Sequence, residues 1–345
     1  VRIALRVLAV VGVLFVLAIV ALSLALPSIV ERPEIRARIE AAAREATGRD
    51  LQYESLSAAV LPPSIELVKP VLTGEASGEP PLFTADLVAL RLALLPLLTR
   101  TVVVDRLRVD GAQVRIVRSA PEKEPAPPTG PADGATASPK PAAAGVRLGV
   151  RRMDVEDARV TLEDRSVTPP AVIVLDGIDA RARAEGVDDP VEFEVEAHLA
   201  SGGDIGMKGT ATVSQDFDAN LTLSKLETSA FAPYLGEARK LSGLLGGTLR
   251  ATGTRGEPSA LSAKLSLESA VVQVQELALR GKLAVTADLA NADGKGLGGP
   301  FEVDATEAEL AYGGAFRKPA GTAATTTGIL KPYSGGALEV DDLHV

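Results

Sequence analysis

The chain has no cysteine and no tryptophan, only two histidines and two methionines, and aromatic residues make up 3% of it. Without cysteine there is no disulfide, thiolate nucleophile or thiolate metal ligand, and the redox compartment stays open. His198 and His344 stand far apart in the sequence and leave zinc without a cluster of its usual ligands. Basic residues are in deficit, with a formal net charge of -9, whereas nucleic-acid binding calls for a basic stripe. Carboxylates are plentiful, but Glu192, Glu194 and Glu196 recur every second residue, as on a solvated strand face. They lack the oxygen-ligand spacing of an EF-hand. No acid, base or nucleophile constellation stands out, so the sequence points to no enzyme and no cofactor.

What is present begins with an uncharged run, Val7 to Leu26 (VLAVVGVLFVLAIVALSLAL). At 1.5 Å per residue it covers about 30 Å, the thickness of a bilayer's hydrocarbon core. Arg2, Arg6 and the small-x-small triplet Ser23-Leu24-Ala25 also fit a signal peptide, but the run exceeds the usual apolar region of about 7 to 15 residues. A retained anchor is therefore expected. Arg2 and Arg6 on one side face Arg32, Arg36 and Arg38 on the other, so charge counting does not orient it. A short helix follows, with Pro33 in its first turn, Gly48 as its stop, and Ile35, Ile39, Ala42 and Ala46 as an apolar stripe. It is expected to lie at the membrane surface or to cap the domain.

From residue 51 the chain reads as strand after strand. Runs at 51–58, 64–72, 82–94, 101–109 and 112–118 are separated by Pro and Gly turns, and Asp110-Gly111 carries a hairpin signal. Residues 119–145 contain seven prolines and almost no large apolar side chain, the composition of an extended linker. A loop within one continuous sheet would have the same composition. Beyond it, Val191, Phe193, Val195, Ala197 and Leu199 alternate with Glu192, Glu194, Glu196 and His198. The pattern returns at 216–226, 260–269 and 299–310. A helix is expected near 229–241, with Ser229 as N-cap and Gly243 as stop.

Gly294-Lys295-Gly296-Leu297-Gly298-Gly299 matches G-x-G-x-x-G, but a strand-like run follows where the dinucleotide fingerprint needs a helix. It reads as a hairpin loop. Asn220-Leu221-Thr222 matches a glycosylation acceptor and sits inside a strand run, where it carries little weight. About twenty strands against two or three short helices leave the apolar faces to one another. A sandwich and a single curled trough both fit, and the alternation alone favours the sandwich. The apolar faces are the one functional surface that the residues offer.

Several stretches, in order, resemble the bacterial AsmA-like family: the span, the P-x-I-R helix, Thr47-Gly48-Arg49 opening the first strand, LPPSIELVKPVLTG, and the run from PPLFTADL to AQVRIVR. The segment from LSKLETSAFAPYL to KLSLES resembles that family's carboxy-terminal region. The resemblance implies an inner-membrane anchor, a periplasmic body, a chorein-type start and a long apolar β-groove for phospholipid. It reverses the preference for a sandwich and implies an anchor over 1–30, a groove start over 31–118, a linker over 119–145 and a distal groove over 146–345. The anchor would then set the first strands beside the inner leaflet as the loading end. The expected groove residues are Val191, Phe193, Val195, Ala197, Leu199, Leu221, Leu223, Leu265, Leu267, Phe301 and Val303. The expected partners are membrane phospholipids and an envelope protein that completes the outer end; nucleic acid is not one. Twenty strands at about 4.8 Å each would extend roughly 95 Å, short for a complete bridge, and a bare terminal edge strand invites pairing. The alternative is a non-conducting scaffold that binds envelope-assembly partners.

Overall fold

The computed structural model describes residues 37, 40, 41, 43–45, 47–60, 63–73, 80–93, 101–119, 147–186, 189–235, 240–255, 257–291, 296–331 and 340–344. The expected anchor, the stripe of Ile35, Ile39, Ala42 and Ala46, and the linker from residue 120 onward lie outside the described residues. Thr47-Gly48-Arg49 closes a helix, with Gly48 at φ 71° donating its N–H to the Arg44 carbonyl at 2.7 Å. Thr47 Oγ1 donates to the Ala43 carbonyl at 2.6 Å and accepts from the Arg49 N–H at 3.2 Å. Ala43 is wholly buried in the core of the first strands, so the helix caps them.

All 22 strands belong to one sheet, so no second sheet faces it among the described residues. In the first part, strands lie end to end as halves of longer ones. These are β1 (Leu51–Gln52) with β2 (Ser55–Val60), β3 (Pro63–Val68) with β4 (Val71–Leu72), and β5 (Phe83–Thr84) with β6 (Leu87–Leu92). Then come β7 (Thr101–Asp110) with β8 (Gln113–Arg118), and β9 (Arg147–Val150) with β10 (Arg152–Asp164). An antiparallel meander follows: β11 (Ala171–Arg183), β12 (Val191–Leu199), β13 (Asp204–Ala211), β14 (Asp216–Glu227), β15 (Lys240–Thr254), β16 (Glu257–Val274) and β17 (Leu277–Ala290). β18 (Gly299–Asp304) and β19 (Ala308–Tyr312) share the next position, and β20 (Phe316–Lys318) and β21 (Thr325–Leu330) the one after. β22 (Val340–His344) forms the edge. Seven end-to-end pairs among 22 segments leave fifteen strand positions side by side. The sheet is therefore about 67 Å across at 4.8 Å per strand, shorter than a count of apolar runs gives.

One joint breaks the antiparallel order. β9 and β10 pair in parallel with β7 and β8, through Val104↔Val150, Val155↔Val109 and Val160↔Val114. Parallel neighbours are not joined by a tight turn, and both flanks of the proline-rich segment lie in one sheet. Ion pairs close the joint: Arg106–Asp154 at 2.7 Å, Arg108–Glu156 at 3.0 Å and Arg115–Glu163 at 2.6 Å.

Two local expectations change. Asp110-Gly111 makes no hairpin: β7 and β8 run on in the same direction, and Gly111, at φ 60°, is a break between them. It belongs to a line of left-handed residues that crosses the sheet through Lys69, Asp157, Gly177, Lys225, Gly243 and Ser269. The pairing register shifts beside Asp157, Gly177, Lys225, Gly243 and Ser269. Bulges bend strands and sharpen their twist, so the line is a crease. The expected helix is instead a 3-10 helix, Thr228–Leu235, and Lys240 to Thr254 is strand. Its cap is the Glu227 carboxylate, which accepts from the Ser229 N–H at 3.3 Å, and Gly243 is a bulge rather than a stop.

Candidate functional site

Residues paired across a sheet point to the same face, so the register decides which apolar residues meet. One row runs from Leu56 through Leu67, Val88, Val109, Val155, Ala180, Val195, Met207, Leu221, Leu249, Ala263, Ala287 and Phe301 to Gly328. No charged residue interrupts it. A second row takes in Ala182, Phe193, Gly209, Ala219, Ala251, Leu261 and Leu289. A third takes in Ala197, Ile205, Leu223, Gly247, Leu265, Val285 and Val303. Val191 pairs with Ala211 at one end of the face, and Leu267 with Leu245 and Leu283 near the crease. Leu199, paired with Leu175, lies beside the β12–β13 turn. All eleven residues expected to line a groove thus share one face.

Burial divides that face. Upstream of β11 it is a closed core: Leu67, Val88, Leu90, Leu107 and Val109 are buried together with Leu51, Leu72 and Phe83. From Ala180 onward most of the row is only half-buried, including Val195, Met207, Leu221, Leu249, Ala287 and Phe301. The apolar lane is thus packed shut at its amino-terminal end and mostly half-buried beyond it.

The three phenylalanines of the distal lane sit opposite glycines: Phe193↔Gly209, Phe217↔Gly253 and Phe301↔Gly328. A Cβ on Gly209 would lie 2.7 Å from the Phe193 ring, and one on Gly253 would lie 2.7 Å from Phe217. The neighbouring backbone is closer still, with the Asp218 carbonyl oxygen at 2.3 Å and the Glu257 carbonyl oxygen at 2.1 Å, so each of these two glycines is closed in by a strand as well as by a ring.

The opposite face is charged and internally paired. Lys208 Nζ meets Glu194 Oε1 at 2.6 Å, and Arg250 grips Asp218 at 2.7 and 3.1 Å. The hydrogen bond from Lys208 and its charge hold the Glu194 carboxyl below the usual range, and the same pairing raises the Lys208 ammonium. His198 Nδ1 lies 2.5 Å from Asp204 Oδ1 on this exposed face. Among the described residues no acidic or histidine cluster fits a metal ion. No described helix is long and apolar enough to cross a membrane, and β-strand spans are a separate matter.

Sequence reasoning missed the lane's contributions from β11, β13 and β15. Glycines disguise the alternation in Ile205, Met207, Gly209 and Ala211, and Ala180 and Ala182 look too small to matter. Only the register shows that they continue the row.

A single creased, mixed sheet, charged on one face and carrying a half-buried apolar lane on the other, defines a mainly-β protein with few helices among the described residues. The chain belongs to the AsmA family, whose model matches residues 2–293. No curated protein and no solved structure matches it.

Proposed function

We propose that the protein is a membrane-anchored carrier that holds phospholipid acyl chains along its apolar lane and passes them between the inner and outer membranes from the periplasm. The unbroken, mostly half-buried row from Ala180 to Phe301 carries this reading. Each CH₂ moved from water onto an apolar surface is worth about 0.8 kcal/mol, which retains a two-tailed lipid. Movement along the row exchanges one set of Val, Leu and Ala contacts for another, so a lipid slides without a deep well. Headgroups stay at the hydrated opening. The work is binding and guidance rather than catalysis, with phospholipid as ligand and an envelope protein as the partner that continues the path.

The test is phospholipid retained by detergent-purified protein, measured by mass spectrometry. Leu265→Asp puts a charge in the lane and is expected to abolish retention. Lys264→Asp, one residue away on the opposite face, is expected to keep it. Equal retention in both, or no lipid in the native protein, would sink the reading and leave the scaffold alternative.

A further inference from the structure

The lane is packed shut at its amino-terminal end, so a lipid following the sheet from its first strands would have to displace Leu67, Val88, Leu90 and Val109. A second feature offers another route. β12 and β13 turn back at Ala200–Gly203, and β14 ends at Glu227, whereas β11 and β15 continue past the crease. Between the far halves of β11 and β15 the sheet therefore has a notch, about 19 Å wide at four strand spacings. Among the described residues the 3-10 helix Thr228–Leu235 occupies it, packing on β11 and β15. Eight residues at about 2.0 Å each reach roughly 16 Å, so the helix spans most of the distance between the two strand axes.

Two side-chain hydrogen bonds of the described residues tie the helix to the sheet. Thr228 Oγ1 donates to the Gly243 carbonyl at 3.0 Å at one end, and the Tyr234 hydroxyl donates to Asp164 Oδ2 at 3.2 Å at the other. Strands on either side are held by full ladders. Leu199 and Leu226, 3% and 4% exposed, are inner-face residues flanking the notch.

We infer that acyl chains reach the lane from the side, through the notch between β11 and β15, where the Thr228–Leu235 helix is the movable wall. The inference rests on the lipid-carrier reading and replaces the first strands as the loading end. A chain admitted there meets Leu199 and Leu226 and then the open row, without crossing the closed core.

The test places benzoylphenylalanine singly at Phe231 on the helix, at Val195 in the open lane, and at Leu56 and Ile65, two half-buried positions in the closed end. Full-length protein is mixed with vesicles of phosphatidylethanolamine and phosphatidylglycerol, irradiated, and analysed for lipid adducts. Adducts at Phe231 and Val195, with background at Leu56 and Ile65, are expected. Adducts at Leu56 or Ile65 equal to those at Val195, or adducts at Val195 without any at Phe231, would overturn side loading. No adducts at any position would instead remove the carrier reading itself. Independently, Tyr234→Phe keeps the ring and removes the hydroxyl. It should speed initial loading roughly 2- to 10-fold, the equivalent of one hydrogen bond, at unchanged final occupancy. An unchanged rate counts against the wall.

Discussion

At the scale of single residues, glycine and carboxylate positions do more than their residue types announce. Gly209→Ala would place its Cβ 2.3 Å from the Asp218 carbonyl oxygen and 2.7 Å from the tip of the Phe193 ring, so both the neighbouring strand and the ring must shift. The expected cost is about 1–3 kcal/mol, the range for overpacking, read as a lower midpoint in denaturant titration. Asp164 is 1% exposed and accepts from the Ser166 hydroxyl and N–H at 2.5 and 2.9 Å. Those hydrogen bonds, with Arg118 nearby, hold its carboxyl below the usual range, as Arg165 and Arg115 do for Glu163. A depressed carboxyl stabilises the fold fully at and above the ordinary carboxylate range and loses that contribution as pH falls through its folded value. Thermal stability should therefore drop on acidification below that range. The drop should be smaller in Asp164→Asn; equal drops would show that Asp164 contributes nothing to it.

At the scale of elements, the crease is what local sequence conceals. β12 was legible to the residue, since Val191 to Leu199 alternates without exception and strand propensity agrees. The crease was not, because Lys69, Asp157, Lys225 and Ser269 adopt positive φ without being glycine, and nothing in their type marks it. Asp110-Gly111 misled for the opposite reason: a left-handed glycine serves a break within a strand as well as a hairpin. Gly111→Val places a β-branched side chain at φ 60° against the Asp86 carboxylate. It should cost at least about 1–2 kcal/mol, the left-handed penalty alone. Lys225→Gly, which relieves the same conformation, should leave the melting temperature nearly unchanged. Similar losses in both would show that the crease depends on side-chain packing rather than backbone conformation. The 3-10 helix is shorter than the expected one because Lys240 and Leu241 fit a helical stripe as well as a strand. The choice between them depends on Gln273 and Val272, their partners on β16.

At the scale of the whole molecule, alternation foretold a strand-rich chain but could not say that its strands form one sheet, since pairing partners are not written locally. The resemblance supplied the single-sheet reading. The sheet is unequal along its length, and mutations should report it. Leu92→Ala, in the closed end at 3% exposure, should cost about 2–5 kcal/mol. Leu221→Ala, in the half-buried lane, should cost about 1 kcal/mol, in keeping with partial burial. Equal losses in denaturant titration would mean that the lane is as tightly packed as the core. The parallel joint carries a further consequence, for the order of assembly. Antiparallel neighbours can close as soon as a turn is made, whereas the joint's ion pairs unite residues such as Arg108 and Glu156 that lie 48 apart in sequence. At about 5–20 residues per second of synthesis, the edge of β7 and β8 waits roughly 2–10 s for its neighbour. During that interval the newborn chain has this edge without its sequence-distant neighbour, and an unpaired edge invites pairing with another chain.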